Sequence, residues 1–224
     1  VQPIWDKIAE LTEQLNQLNT DAQEKAYASG DADLDRMVTV NDYMEVISYV
    51  VGRQEMPGAE TVEFAAADVN KDGKINIGDV TNIANLIRGE QIVTTFTLNT
   101  LRSRGAVDRT IATADVIAMS MTKENGVQRI AIRLNNTVNY TGLQLDVKLP
   151  AGVTVMNETL GARAEDHELF SNTMADGTHR ILVSSLESSE FNNTDDAVIY
   201  LEVSGNAASK ITVSDVLATD AKGS

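Results

Sequence analysis

The sequence predicts a multidomain α plus β protein with three consecutive parts. Apolar residues recur every three or four positions near the N-terminus, an acidic twelve-residue segment occurs twice in the middle, and short alternating segments fill the rest. We therefore expect an N-terminal amphipathic helix at residues 1–29, a small α-helical unit with a duplicated loop and helix at residues 30–90, and an antiparallel β-sandwich at residues 91–224.

The N-terminal helix is predicted from one apolar stripe, separated by Gln, Asn, Glu and Thr. Its members are Ile4, Ile8, Leu11, Leu15 and Leu18. A helix that lies on a membrane surface would carry Lys and Arg on its polar face, and this one has few. We expect the stripe to pack on the following domain or on a partner helix that is missing from this chain.

Composition restricts the classes of function. The 224 residues carry a formal net charge of −15, which disfavours binding to nucleic acid or anionic lipid and favours cations and basic or neutral partners. With no Cys, disulfides, thiolate metal sites and Cys nucleophiles are excluded. No apolar run approaches the roughly 20 residues that span a bilayer. The start at Val1, without a leader, suits a trimmed secreted protein or a cloned fragment.

The duplicated segment has the spacing of calcium ligands. DADLDRMVTVND at residues 31–42 (loop one) aligns with DVNKDGKINIGD at residues 68–79 (loop two). Calcium takes six to eight oxygen ligands, which a twelve-residue loop supplies from positions 1, 3, 5, 7, 9 and 12, position 7 through its carbonyl. The predicted ligands are Asp31, Asp33, Asp35, the Met37 carbonyl, Thr39 and Asp42 in loop one, and Asp68, Asn70, Asp72, the Lys74 carbonyl, Asn76 and Asp79 in loop two.

The two loops differ at position 6, where the chain turns sharply. Loop two has Gly73 there, whereas loop one has Arg36, which a left-handed conformation would strain. Loop one has one more carboxylate, which offsets that strain. Asp42 and Asp79 could also serve only as helix caps in solvated turns. Because every ligand position is duplicated and a helical pattern ending at Gly52 or Gly89 follows each loop, we interpret both as calcium sites.

The arrangement of loop and following helix, with Asp rather than Glu at position 12, identifies a family. Together with DVNKDGKINIGDVTNIANLIRG at residues 68–89, it resembles the dockerin type I domain. The resemblance implies a calcium-stabilised plug that binds cohesin modules in extracellular carbohydrate-degrading assemblies. It also implies that positions 10 and 11 of each loop contact the partner. These are Val40 and Asn41, then Ile77 and Gly78, not the Ser/Thr pair typical of clostridial cellulosomes, so a more hydrophobic contact, or one to the neighbouring domain, is expected.

The third part is predicted to be a sandwich of half-buried strands. Strands are predicted at 117–121, 130–134, 143–149, 153–156, 179–185, 197–203 and 211–217, between Gly, Asn, Asp and Pro turn signals. LQLDVKLPAGVTV at residues 143–155 resembles cohesins and related carbohydrate-binding sandwiches, and DGTHRILVSSLESSEF with DDAVIYLEV resembles cohesin-type domains found beside dockerins. The resemblance implies a cohesin-like sandwich of jelly-roll type.

The sequence of this part does not predict a catalytic site. His167 and His179 are expected in a surface loop and at a strand edge, and Glu165 and Asp166 are neighbours that would point apart on a strand. Aromatic residues that could stack on sugars are few. After residue 91 they are Phe96, Tyr140, Phe170, Phe191 and Tyr200, with Tyr200 expected to be half-buried.

These observations predict a non-catalytic, calcium-stabilised protein-interaction or scaffolding part of a secreted or surface bacterial protein linked to polysaccharide processing. Its partner would be a cohesin-like module, in trans or in the same chain, or a polysaccharide. The alternative is a carbohydrate-binding or adhesin module in which the dockerin-like part is a rigid intramolecular spacer.

Overall fold

The computed structural model describes residues 2–97, 117–124, 127–193, 195–205 and 211–223. It contains four α-helices and one short 3-10 helix (Ala162–Ala164) in these ranges, and confirms the α plus β class. The helices are α1 (Gln2–Glu24), α2 (Val40–Val50), α3 (Val62–Ala67) and α4 (Ile77–Ile87).

Helices α2 and α4 begin in the same way, as the duplication predicts. Thr39 and Asn76 are the N-caps, and each forms a capping box with the Asp three residues later, Asp42 or Asp79. Thus the Asp residues support the caps from the first turn rather than being the caps themselves. Helix α3 lies directly before loop two, and Thr61 caps its N-terminus by accepting a hydrogen bond from Phe64 N–H.

The strands form two four-stranded antiparallel sheets and one short pair. Strands β10, β5, β8 and β7 lie in that order in one sheet, named here the docking sheet, and β3, β4, β9 and β6 in the other, the outer sheet. The bounds are β1 (Tyr27–Ala28), β2 (Thr95–Phe96), β3 (Ile117–Glu124), β4 (Val127–Leu134), β5 (Gly142–Lys148), β6 (Val155–Leu160), β7 (Glu168–Thr173), β8 (Thr178–Ser184), β9 (Ile199–Val203) and β10 (Thr212–Thr219).

The sandwich core lies between these two sheets and is built by alternation along the strands. Its fully buried members include Ile130, Ile132, Leu134, Leu143, Leu145, Ile181, Ile199 and Leu201. Seven predicted strands are present, and β7 is an eighth that the sequence analysis missed.

A second core joins the helical unit to the docking sheet. It contains Val46 and Ile47 from α2, Ile77 and Ile83 from α4, and Leu182 from β8. Strand β5 was predicted to be half-buried, and this expectation was wrong: Gly142 to Val147 are all buried, because α4 covers the face that the sandwich core does not.

The N-terminal helix does not pack on the following domain. Every side chain of α1 that the structure describes is exposed, including the whole apolar stripe, which corrects the first of the two expected packing arrangements. Strand β1 pairs with β2, and Tyr27 of β1 lies opposite Phe96 of β2. Tyr27 precedes the predicted helical unit of residues 30–90 and Phe96 follows it, so the pair joins its two ends. Those boundaries remain a prediction.

Candidate calcium loops and docking face

Loop two is closed by its own carboxylates. The Asp79 carboxylate accepts hydrogen bonds from the backbone N–H of Asn70, at 3.2 Å, and of Asn76, at 3.0 Å. At the other end of the loop, the Asp68 carboxylate accepts from Asp72 N–H at 3.0 Å and from Gly73 N–H at 3.1 Å. The carboxylates at positions 1 and 12 thereby each bind two backbone N–H groups of the loop.

Loop one repeats this pattern 37 residues earlier. The Asp42 carboxylate accepts from the N–H of Asp33, at 3.2 Å, and of Thr39, at 2.7 Å. Asp31 accepts from Arg36 N–H at 3.1 Å, matching the bond between Asp68 and Gly73. The structure therefore folds both loops alike, although their sequences differ at several positions.

The backbone angles agree between the loops at the two residues with positive φ. Leu34 and Lys71, at position 4, have φ of 61° and 64°, and Arg36 and Gly73, at position 6, have φ of 80° and 83°. Arg36 thus adopts the left-handed conformation that only Gly reaches without a steric penalty. The strain expected at this residue is present in the fold.

The loops bring carboxylate oxygens together in a way that suits a hard cation. Ligand atoms of Asp31, Asp33 and Asp35 lie within 4.8 Å of one another. Asp31 is 3% exposed, and its Oδ1 is buried without a hydrogen-bond partner among the described residues. A buried unpaired carboxylate oxygen is costly, and an oxygen-only donor set is the type that calcium prefers. The residues of loop one therefore fit calcium.

Burial shifts the pKa values of the same groups. Burial raises the pKa of Asp31, Asp42 and Asp68, and raises that of fully buried Asp79 well above its ordinary value; neighbouring carboxylates add to the effect at each of them. Hydrogen bonds from backbone N–H groups oppose these shifts. A bound divalent cation would offset both the burial and the mutual repulsion.

The two predicted partner-contact pairs lie in opposite surroundings. Val40 is 47% exposed and Asn41 is exposed, whereas Ile77 and Gly78 are buried. The Ile77 N–H donates to Oε1 of Gln144 on β5, at 3.2 Å. Position 10 of loop two therefore lies against the docking sheet of the same chain, and position 10 of loop one does not.

Helix α2 is also bonded to the docking sheet. The Tyr43 hydroxyl donates to Ser184 Oγ at 2.9 Å, and burial raises the pKa of Tyr43 to about 12. Arg180 pairs with Asp146 through two hydrogen bonds of 2.7 and 2.8 Å and donates a third to the Val50 carbonyl, at 3.2 Å. Because Asp146 is 4% exposed, this ion pair is sheltered by the helical unit.

Further bonds continue the contact at both ends of the helical unit. The Arg53 guanidinium donates to the Ser171 carbonyl at 2.8 Å, and the Asn172 side chain donates to the Gly52 carbonyl at 2.9 Å. On α4, the Asn85 side chain donates to the carbonyl of Ala221, in the C-terminal segment, at 2.9 Å. The docking sheet and the residues after β10 thus hold α2 and α4 together.

Both histidines lie in places that the sequence did not predict. His167 is buried and stacked on Phe191, with ring centroids 4.3 Å apart, rather than in a surface loop. His179 is 3% exposed in the inner strand β8, where its ring lies between Thr173 and Glu158, each 2.9 Å away. His167 is thus packed on Phe191, and His179 on β8 lies within ion-pair distance of Glu158 on β6.

The aromatic residues of the third part provide no exposed ring. Phe96, Tyr140 and Phe191 are buried, and Phe170 packs on the core shared by the helical unit and the docking sheet. Tyr200 is half-buried, as expected, and the Arg129 guanidinium covers its ring at 3.9 Å.

Comparison with protein families identifies one similar domain. Residues 29–91 match the sequence model of the dockerin type I domain. No curated protein matches the sequence. In the described part of the chain, no helix has the length and apolar character needed to cross a membrane.

Three similar solved structures contain cohesins. A non-cellulosomal cohesin from Archaeoglobus fulgidus is 9% identical, with a TM-score of 0.39 over 48% of this chain and 80% of that one. A type I cohesin–dockerin complex from Clostridium thermocellum contains a chain 14% identical, with a TM-score of 0.39 over 50% of this chain and 88% of that one.

The third is a complex of the sixth cohesin of Acetivibrio cellulolyticus scaffoldin B with a mutant Cel5 dockerin, 12% identical, with a TM-score of 0.38 over 48% of this chain and 89% of that one. Residues 29–91 are thus similar to dockerin type I domains, and the described strands that follow form an antiparallel β-sandwich.

Proposed function

We propose that this chain is a non-catalytic interaction part of a secreted or surface bacterial protein, in which the dockerin domain binds the β-sandwich of its own chain. Dockerin domains are interaction modules, and this one has a partner surface within reach. The docked pair would act as a rigid element that carries neighbouring parts of a longer protein involved in polysaccharide processing.

The observation that carries the proposal is the burial of Ile77. This residue occupies position 10 of loop two, is 0% exposed, and donates its N–H to Gln144 of the docking sheet. An apolar side chain with its backbone donor satisfied across the contact is typical of the buried centre of an interface. The bonds from Tyr43 to Ser184 and from Arg180 to Val50 surround it.

Calcium would stabilise the docked state by neutralising the loops. Loop one would hold it with Asp31, Asp33, Asp35, the Met37 carbonyl, Thr39 and Asp42, and loop two with Asp68, Asn70, Asp72, the Lys74 carbonyl, Asn76 and Asp79. Bound calcium supplies positive charge among carboxylates that repel one another. Since α2 and α4 start directly at loop residues, ordering of the loops orders the helices that contact the docking sheet.

Calorimetric titration of the calcium-free chain with calcium, beside thermal melts in calcium and in chelator, tests this role. We expect two bound ions per chain and a lower melting temperature in chelator. Asp79→Asn and Asp42→Asn should each remove one site. An unchanged melting temperature in chelator would contradict the coupling of calcium to the fold.

A second candidate function is binding of a cohesin-like module in trans. The observation that favours it is that Val40 and Asn41 remain exposed, with Met44 beside them 40% exposed, while the equivalent loop-two pair is covered. Immobilised cohesin modules should then retain the chain in calcium, and Val40→Asp should abolish retention without altering the melting temperature. Absence of retention by a panel of cohesins would remove this candidate.

A further inference from the structure

The exposed stripe of α1 has the spacing of a coiled-coil seam. Its apolar residues are Ile4, Ile8, Leu11, Leu15 and Leu18, at intervals of 4, 3, 4 and 3. This alternation averages 3.5 residues, so Ile8 and Leu15 take position a of a heptad, and the other three take position d. A seam of two positions per heptad faces one partner helix, whereas a helix on a globular domain needs a wider apolar face.

The charges of α1 lie away from this seam. Between residues 4 and 18 the flanking positions e and g hold Trp5, Lys7, Thr12 and Gln14, none of which is acidic. The acidic residues Asp6, Glu10 and Glu13 fall at positions f, c and f, on the far side of the helix. Two copies could therefore approach along the seam without placing like charges opposite each other, although the chain as a whole carries −15.

Three polar side chains at the margins of the seam have partners within the helix. Lys7 Nζ pairs with Glu10 at 2.8 Å, Gln14 donates to the same carboxylate at 3.2 Å, and the Thr12 hydroxyl donates to the Ile8 carbonyl at 2.8 Å. Lys7, Thr12 and Gln14 thus each keep one polar contact within their own helix when a partner helix packs on the seam.

We propose that α1 joins two copies of this chain through a two-stranded coiled coil along Ile4, Ile8, Leu11, Leu15 and Leu18. The exposure of these side chains, from 47% for Ile8 to 66% for Ile4, Leu15 and Leu18, is the surface that the second copy covers. The dimer would hold the remaining residues of two chains on one stem. This inference does not depend on how the dockerin domain docks.

Sedimentation velocity of the full chain in calcium, over a range of concentrations, tests the proposal. We expect a concentration-dependent dimer of twice the 24.2 kDa chain mass. Leu11→Glu should raise the dimer dissociation constant by at least about a hundredfold, because each dimer loses two buried leucines and gains two unpaired charges. The matched control is Asn16→Glu, which adds the same charge at position b, off the seam, and should leave the dimer intact.

Two results would overturn the proposal. One is a monomer of the unaltered chain at every concentration, which would assign the stripe to a segment outside this sequence. The other is a dimer that persists in Leu11→Glu, which would place the interface elsewhere. The first result is measured on the unaltered chain, so it is decisive even if Leu11→Glu unfolds α1. Neither result bears on the proposed function, which is tested separately by the calcium dependence of the melting temperature.

Discussion

Gly142 on β5 lies so close to Ile77 on α4 that a Cβ at position 142 would be 2.9 Å from the Ile77 side chain. The same Cβ would lie 2.8 Å from Thr219 Cγ2 on β10. Helix α4 therefore rests on the backbone of the docking sheet at a point where no side chain separates them. The absence of a side chain at position 142 is what lets position 10 of loop two reach the sheet.

Gly142→Ala should destabilise the docked arrangement. The added methyl group overpacks a contact between α4, β5 and β10, which costs about 1–3 kcal/mol of unfolding free energy. Chemical unfolding in saturating calcium measures the change. Ile77→Ala completes a double-mutant cycle. In a chain that already carries Ile77→Ala, Gly142→Ala should cost less unfolding free energy, because the Ile77 side chain no longer crowds the added methyl group. Equal stability of Gly142→Ala and the unaltered chain would contradict the close contact.

Substitutions at position 6 should change the stability of the protein in opposite directions in the two loops. Arg36→Gly relieves the left-handed strain and should raise the unfolding free energy in calcium by about 0.5–1 kcal/mol, after the greater freedom of Gly in the unfolded chain is subtracted. Gly73→Arg should lower it by a similar amount, because nothing lies within 4 Å of a Cβ there and only the backbone is strained. A neutral Gly73→Arg would show that position 6 tolerates any residue.

His167 should make the protein less stable in mild acid. Burial lowers the pKa of His167, so the folded protein keeps the ring neutral at pH values where the unfolded chain binds a proton. Its contribution is complete above the unfolded pKa of about 6.5 and is lost as pH falls through the lower folded pKa. His167→Phe, which preserves stacking on Phe191, should flatten this part of the pH profile.

Urea unfolding of both proteins at about pH 8 and about pH 5, in saturating calcium, isolates the histidine, because all other titrating groups are shared. The unaltered chain should lose more stability than His167→Phe between the two pH values. Identical losses would mean that His167 is free to protonate in the fold.

The matching geometry of loop one and loop two could be predicted from the sequence because it is local. Asp31 and Asp42, or Asp68 and Asp79, are only eleven positions apart, and the hydrogen bonds that shape each loop stay within it. The same pattern occurs again 37 residues later, which supports the interpretation independently. Dockerin type I was identified on these residues, and the family comparison confirmed it.

A contact between position 10 and the neighbouring domain was one of the expectations from the sequence, but the sheet residues that make it could not be predicted, because the contacts join distant residues. Gln144 and Asp146 alternate with core residues on β5, so they indicated a solvent-exposed face, yet Ile77 and Arg180 satisfy them beneath the helical unit. Strand β7 was missed for the same reason. Leu169 and Phe170 are adjacent residues of β7 and pack on different cores, on opposite faces of the sheet. Because both faces are covered, the strand lacks the alternation of apolar and polar residues that predicts a half-buried strand.

The most direct test of intramolecular docking is to cut the connection between the two parts. A protease site introduced within residues 98–116 allows the folded chain to be cleaved, and size-exclusion chromatography then shows whether the fragments remain together. We predict co-elution in calcium at micromolar concentration, separation in chelator, and separation in calcium for Ile77→Asp but not for Val40→Asp, the same substitution at the exposed position 10 of loop one. Fragments that part in calcium without any substitution would contradict the account.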